Sequence, residues 1–504
     1  MLIEGAFRPG GRGLEWCDPE ALRSIRRRSL ARLRQEVEPV EAPALGRFLV
    51  DWHGIGRSRG GLDSLLDTIE QLQGVPIVAS LLEHEILPAR LPDYSPAALD
   101  TLLGAGEVSW VGVEPLGDRD GRIALYLTDH LQKLMPPSPP ADDLAGRDVE
   151  VLARLRETGA AFFAPLHSAL GGGFPKETLD ALWSLVWKGL VTNDTLHALR
   201  AYLRPPERAR RPGRMTPFRS RRLVPPSAEG RWTAIPSAQK ASLTEWAATV
   251  AQQLLTRHGV VARDIVAVEQ LPGGFSTVYP VLRRLEETGR VRRGYFVSGL
   301  GAAQFAQPGA VDLLRAAREE PEEPRTVTLA ATDPANPYGA VLPWPEWTAP
   351  PAATDLTEKQ ATAGSKASPS TLLRASRSAG ARVVLVDGRL TAWIARGDRI
   401  LRVSLPAEDP DRSRVGRALA RELVALAHRA PEGSRGWLIE EINGVSAAKD
   451  GAAPFLIESG FAITAMGLQL RVARRLHRPP ALPSQAAEAD ASDDDSNDEE
   501  LATD

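Results

Sequence analysis

The stretch Leu271–Ala306, LPGGFSTVYPVLRRLEETGRVRRGYFVSGLGAAQFA, constrains the fold more than any other part of the chain. Phe275, Val278, Leu282 and Leu285 recur at helical spacing and define one apolar stripe. Proline is tolerated in a first helical turn, where its missing N–H has no partner to lose. Pro280 therefore predicts a helix starting near Ser276 or Thr277, with a hydroxyl as its cap. Gly289 ends it. Val291–Val297 then alternates toward Gly299 and Gly301, as a short hairpin with a glycine turn does. Helix plus hairpin is the second half of a winged helix. Arg283, Arg284, Arg290, Arg292 and Arg293 gather on the late helix and first hairpin strand, opposed only by Glu286 and Glu287. Such a helix enters a nucleic-acid groove while flanking arginines hold phosphates. The candidate DNA contacts are Ser276, Thr277, these five arginines and Tyr295. The plainer alternative is a core helix with a solvated basic edge.

The run RRGYFVSGLGAAQFAQPGAVDLLR resembles the C-terminal region of the bacterial large helicase-related proteins, Lhr. FRPGGRGLEWCDPEALRSIRRRSLARLRQEVEP, IEQLQGVPIVAS, LWSLVWKGLVTND and LAATDPANPYGAVLPWP resemble the same family in the same order, so the likeness reaches to about Arg475. It implies an α+β architecture: tandem winged-helix (helix-turn-helix) domains, then a small β-barrel and an α/β cap. It also implies either a C-terminal Lhr portion made alone or a shortened reading frame.

Cys17 is the single cysteine, which excludes internal disulfides and cysteine-rich zinc sites and suits a reducing cytoplasm, where a DNA partner would place the chain at the nucleoid. No apolar run approaches a membrane span. The net charge of −3 hides an asymmetry, because Glu488–Asp504 carries nine acidic residues and no basic ones. The remainder has 61 basic against 55 acidic residues, a mildly basic body suited to a polyanion.

In chain order, residues 1–36 read as a Gly-rich turn and a basic linker helix, either phosphate-binding or solvated. Residues 37–136 read as a first winged helix, with apolar stripes at Leu62–Leu72 and Leu99–Leu103 and wing strands at Glu107–Val113 and Arg122–Leu127. This module also resembles the AlkZ and YcaQ winged-helix DNA glycosylases. That resemblance makes Gln71 and Gln73 the candidate catalytic pair, in a glutamine–x–glutamine arrangement that would orient water at the sugar of a flipped nucleotide. A glutamine is no base at neutral pH, so the pair suits a base that already leaves easily. In a register two residues on, Gln73 would pair with Val75 and the site would be dead; a surface helix end before Gly74 and Pro76 is the bland reading.

Residues 142–204 read as a second winged helix, with Trp183 and Trp187 as core and Gly171–Gly173 as the turn before its second helix. Residues 205–238 read as an Arg/Pro-rich linker. Arg204–Arg222 holds eight arginines and one Glu207, and Arg208, Arg210, Arg211 and Arg214 are candidate backbone contacts, with a solvated tether as the alternative. Residues 239–322 are the third winged helix, opening with a helix at Leu243–His258. Residues 323–410 read as the β-barrel, with a disordered insertion at 347–370. Asp333, Asn336 and Tyr338 cap a Pro-rich turn or line a DNA channel. Residues 411–478 read as the α/β cap and 479–504 as a disordered acidic tail.

The chain has no GxxxxGK[ST] and no DExH run, so it is not expected to hydrolyse ATP. Nor does it contain HExxH, GxSxG or ligand-spaced histidines, and neither a cofactor nor a metal is expected. Two functions follow. One is a DNA-binding, oligomer-forming module of an Lhr-type repair helicase, acting on single-stranded or tailed duplex DNA beside a helicase core encoded elsewhere. The other, implied by the resemblance, is a metal-independent glycosylase removing uracil or damaged bases.

Overall fold

The computed structural model describes residues 3–5, 13–22, 24–25, 28, 38–136, 144, 146–204, 225–236, 243–347, 374–429 and 436–471. Most of the basic helix expected within 1–36, the arginines Arg208, Arg210, Arg211 and Arg214, the insertion beyond Trp347 and the acidic tail lie outside them.

A short hairpin, β1 (Ile3–Gly5) with β2 (Glu15–Cys17), and a helix, α1 (Ala42–Trp52), precede the first module. Then one motif recurs three times: helix, short strand, helix, helix, strand, strand. In each case the last strand sits between the other two.

The first copy comprises α2 (Gly61–Leu72), β3 (Ile77–Val78), a helical run over Ala79–Leu81, Leu82–Ile86 and Leu87–Arg90, α3 (Pro96–Ala105), β4 (Val108–Leu116) and β5 (Asp120–Leu127). The start of α3 is set by Pro96 in its first turn and by Ser95, whose hydroxyl accepts the Ala98 N–H at 3.4 Å. Its end is set by Gly106 at φ 78°. Helix α4 (Thr128–Leu134) follows.

The middle copy comprises α5 (Arg147–Thr158), β6 (Ala161–Phe162), α6 (Phe163–Ala169), α7 (Pro175–Trp187), β7 (Val191–Asn193) and, after α8 (His197–Leu203), β8 (Arg231–Ala234). Strand β8 pairs with both β6 and β7, and its Trp232 is fully buried. This module therefore closes inside the stretch expected as a linker. The arginine-rich run leaves at Arg204 and returns by Pro225, between the module's last two strands.

The third copy comprises α9 (Leu243–His258), β9 (Val260–Val261), α10 (Arg263–Val268), α11 (Phe275–Glu287), β10 (Arg292–Gly294) and β11 (Gln304–Ala306), followed by α12 (Pro308–Ala316).

Successive strand residues point to opposite faces, and the first module uses both faces of its sheet. Trp110, Ile123 and Leu125 join a core shared with the middle module. Val111, Ala124 and Tyr126 join a core shared with the third. The expected wing of the first module is thus an interior wall.

Beyond α12, β12 (Thr326–Ala330), β13 (Arg382–Val386), β14 (Arg389–Ile394) and β15 (Ile400–Val403) form an antiparallel meander. After α13 (Asp411–Arg429) and β16 (Trp437–Ile439), β17 (Glu441–Ile442) adds parallel to β15, and β18 (Val445–Ser446) follows it. The pairing order is linear with β12 and β18 at the edges, so among the described residues this is an open six-stranded sheet rather than the closed barrel expected. Helices cover its faces instead. Leu385 and Trp393 pack toward α1 and the third module, while Val384 and Ile394 pack with Leu419 and Leu423 of α13. After helix α14 (Ala453–Glu458), strands β19 (Ala462–Thr464) and β20 (Gly467–Leu470) complete a three-stranded sheet with β16. No helix among the described residues is long and apolar enough to cross a membrane.

Candidate nucleic-acid interface

Helix α11 is the exposed helix of the third module. It begins at Phe275, ahead of the predicted start, and Pro280 falls inside it rather than in its first turn. Ser276 and Thr277 do not cap it. The Ser276 hydroxyl donates to the Gly273 carbonyl at 2.6 Å and that of Thr277 to the Pro272 carbonyl at 2.9 Å, bracing the glycine turn before the helix. Gly274 at φ 60° supplies the entry angle.

Val278 and Leu282 are buried, which turns Arg283 and Arg284 outward, 63% and 76% exposed. Among the described residues both pair with Glu287 alone, at 3.6 and 3.2 Å. Pairs this exposed are worth little and readily exchange for phosphate. Arg290 is also exposed. Arg292 lies 3.9 Å from Asp312. The Arg293 guanidinium lies 5.9 Å from the Tyr279 ring centroid and 5.7 Å from that of Phe305, a cation–π seat that fixes its direction. The Tyr295 hydroxyl accepts the Gly299 N–H at 3.0 Å.

The wing is more compact than a free hairpin. Buried Gln304 accepts the N–H groups of Phe296 and Val297 at 2.9 Å each and donates to the Val297 carbonyl at 2.8 Å, while Val297 bridges to Val40. Phe296 and Val297 are therefore interior, and the arginines project from a rigid base.

The middle module differs. Its helix α7 buries Ala181, Leu182, Trp183, Leu185, Val186 and Trp187. A Cβ at Gly112 would lie 2.2 Å from the Val186 carbonyl oxygen, and one at Gly121 would lie 2.3 Å from the Trp187 ring. This helix is seated on the first module's sheet and has no free face along its second half. Of the three helices that precede the last two strands of each copy, α3, α7 and α11, only α11 carries arginine.

The candidate catalytic pair is not a pair in space. Gln73 is 1% exposed and its carboxamide is fully engaged. Its oxygen accepts the Leu127 N–H at 3.0 Å, and its nitrogen lies 3.2 Å from both the Glu70 carbonyl and His130 Nδ1. Gln71 donates to the Trp52 carbonyl at 3.0 Å and lines a separate polar pocket of about 160 Å³ with His53, Asp67 and Arg90.

Sequence reasoning missed the buried charges behind these residues. Arg257 bonds Glu269 and the Gln73 carbonyl, and His258 Nε2 lies 2.6 Å from Glu269. Burial alone would raise the Glu269 carboxyl, but Arg257 and His258 hold it down at about 2. Burial, then the charge of Arg90, keeps His53 well below its usual value and so neutral. Adjacent Arg257 and His258 at a helix end carry no spacing signal, so only the fold reveals them.

Between the modules lies a cleft of about 560 Å³. The first module contributes Val75, Val111 and Arg122, the middle one Lys188, the third Trp246 and Arg257, and the segment after β12 contributes Asn336 and Arg377. Asp333 and Tyr338 of that segment are buried. Asn336 is buried too and donates to the Ala331 carbonyl at 2.9 Å, Asp333 accepts the Ala335 N–H at 2.7 Å, and the Tyr338 hydroxyl reaches out of the turn to the Gly388 carbonyl at 2.9 Å. Among the described residues no cluster of three or more His, Cys, Asp or Glu could hold a metal.

Two family models, each described as a winged-helix domain of large helicase-related protein, match residues 40–128 and 240–326, the first and third modules above. A Mycolicibacterium smegmatis protein named "Lhr helicase/ probable uracil glycosylase" is 40% identical over 502 residues, an alignment covering 93% of this chain and 31% of that protein. The chain belongs to the Lhr family. An Escherichia coli relative named "Lhr helicase/uracil glycosylase" is 32% identical over 493 residues, covering 90% of this chain and 30% of the relative. The Lhr chain described here thus spans under a third of the length of these curated relatives.

Proposed function

We propose that this Lhr chain is a DNA-binding module without an ATPase motor, gripping DNA through the third winged helix. The supporting observation is the outward placement of Arg283 and Arg284, beside Arg290, on a helix whose opposite stripe is core. Phosphate contacts of this kind supply sequence-independent affinity and fix register. The arginine-rich run that departs at Arg204 adds positive charge to the same chain. A helicase core acting on the same DNA is the implied partner. The test is a binding titration with duplex and tailed duplex, comparing the natural chain with Arg283→Gln/Arg284→Gln. The double variant should bind several-fold more weakly to both, and equal affinity would refute the assignment.

A second reading, removal of uracil by base flipping, is favoured by the names of both relatives. Of the glutamines proposed for it, Gln71 lines a polar pocket and Gln73 is committed to the Leu127 N–H, the Glu70 carbonyl and His130. Incubation with uracil-containing single-stranded DNA, without ATP or metal, should give alkali-labile abasic sites if this reading holds. An intact strand at high protein concentration leaves the binding module alone. Cleavage that survives Gln71→Ala would locate the chemistry elsewhere.

A further inference from the structure

We propose that the cleft between the three winged helices holds a short single-stranded segment of nucleic acid, bases inward, at a site separate from the arginine face of α11. The proposal rests on the reading above that the partner is nucleic acid, and adds where an unpaired strand goes.

Three features carry it. The walls are apolar: Val113 and Val268 are exposed and Met135, Leu271 and Val341 half-buried, over the core residues Val111 and Leu254. Unpaired bases offer flat apolar faces that gain from such walls, whereas a duplex stacks its bases internally and presents phosphates and groove edges. The volume of about 560 Å³ suits a segment of nucleotide size and cannot admit a duplex.

The charges select an anion. Arg122, Lys188, Arg257 and Arg377 line the cleft beside Glu269; Arg122 also pairs with Glu114 and Lys188 with Asp148 at 3.2 Å, half-exposed pairs that exchange readily for phosphate. Arg377 gives its hydrogen bonds to four carbonyl oxygens, those of Thr332, Asp333, Asn336 and Tyr338, at 2.8–3.4 Å. Its guanidinium is therefore held in place without a directly bonded carboxylate, and a phosphate at the mouth would compensate its charge.

The third feature is an unused donor. Arg257 is 3% exposed; its two terminal nitrogens serve Glu269 and the Gln73 carbonyl, and its Nε has no hydrogen-bond partner. Leaving a buried donor unmatched is unfavourable. A base carbonyl or phosphate oxygen entering the cleft would supply the missing acceptor.

The experiment uses the full chain, with fluorescence anisotropy of labelled hexathymidylate and of a blunt duplex as separate probes. Val113, 42% exposed on β4, can be enlarged without entering a core. Val113→Trp should fill the cleft and weaken hexathymidylate binding by about tenfold. Duplex binding should stay unchanged. Arg283→Gln/Arg284→Gln should do the reverse. Lys188→Glu is the second variant, should Val113→Trp lower the melting temperature, and it should weaken hexathymidylate selectively. A folded Val113→Trp that binds hexathymidylate normally overturns the proposal, even if it loses a nonpolar dye such as Nile red. A natural chain that binds duplex but not hexathymidylate overturns the cleft alone, whereas failure to bind either probe overturns the nucleic-acid reading with it.

Discussion

Arg90 and Asp333, 243 residues apart, meet as a two-pronged ion pair, with Nη1–Oδ2 at 2.9 Å and Nη2–Oδ1 at 2.8 Å, each side chain 1% exposed. Arg90 ends the helical run of the first module and Asp333 opens the turn after β12, so the pair ties the winged helices to the sheet. Removing one partner strands the other charge in the interior. Asp333→Asn or Arg90→Met should each destabilise by about 3–5 kcal/mol, with the double replacement Arg90→Met/Asp333→Leu much closer to the natural chain. Denaturant unfolding of the three variants checks this.

The seat of α7 on the first module gives a second prediction. A methyl group at Gly121 would enter the ring of Trp187. Gly121→Ala should destabilise by about 1–3 kcal/mol through overpacking, and Trp187→Leu in the same chain should recover part of the loss. Thermal melting measures both, and proteolysis rates should rise between the first and middle modules.

Glu269 sets an acid limit. Its folded carboxyl sits at about 2 against an ordinary value of 4.5, so the carboxylate contributes stability above the ordinary value. That contribution fades as the pH falls from 4.5 toward 2. Glu269→Gln should be less stable at neutral pH and should lose less on acidification over that window. Unfolding midpoints measured across pH 2–7 test the difference in slope.

Gln73 and Gln71 should behave differently when truncated. Gln73→Ala leaves the Leu127 N–H without its acceptor in the interior, at a cost of about 1–3 kcal/mol. Gln71→Ala removes one hydrogen bond at a partly open position and should matter less. Denaturation midpoints rank the two.

Much of the local structure is legible from periodicity. The helix read at Leu243–His258 is α9, and alternation gives β4 and β5. The Trp183–Trp187 core and the triple-glycine turn are likewise readable from residue type. What alternation does not say is which neighbour each face meets, so nothing in β4 or β5 tells that Val111 and Tyr126 belong to a core with α9. Strand β8 escapes because the run before it, rich in Arg and Pro, reads as a boundary, although Trp232 belongs with Ala161 and Asn193. Gln73 reads as a helix end at the surface because its partners, His130 and Arg257, are distant in sequence. The arginine face on α11 is the part of the candidate site that residue spacing did predict, since burying Val278 and Leu282 dictates where Arg283 and Arg284 point.

The most direct test is the salt dependence of duplex affinity for the natural chain and for Arg283→Gln/Arg284→Gln/Arg292→Gln/Arg293→Gln. Each phosphate no longer held by an arginine should lower the slope of log K against log salt by about 0.9. The account predicts a weaker complex with a slope shallower by the equivalent of about two to four phosphates, in a protein whose melting temperature is little changed. An unchanged affinity and slope in the folded quadruple variant would contradict it.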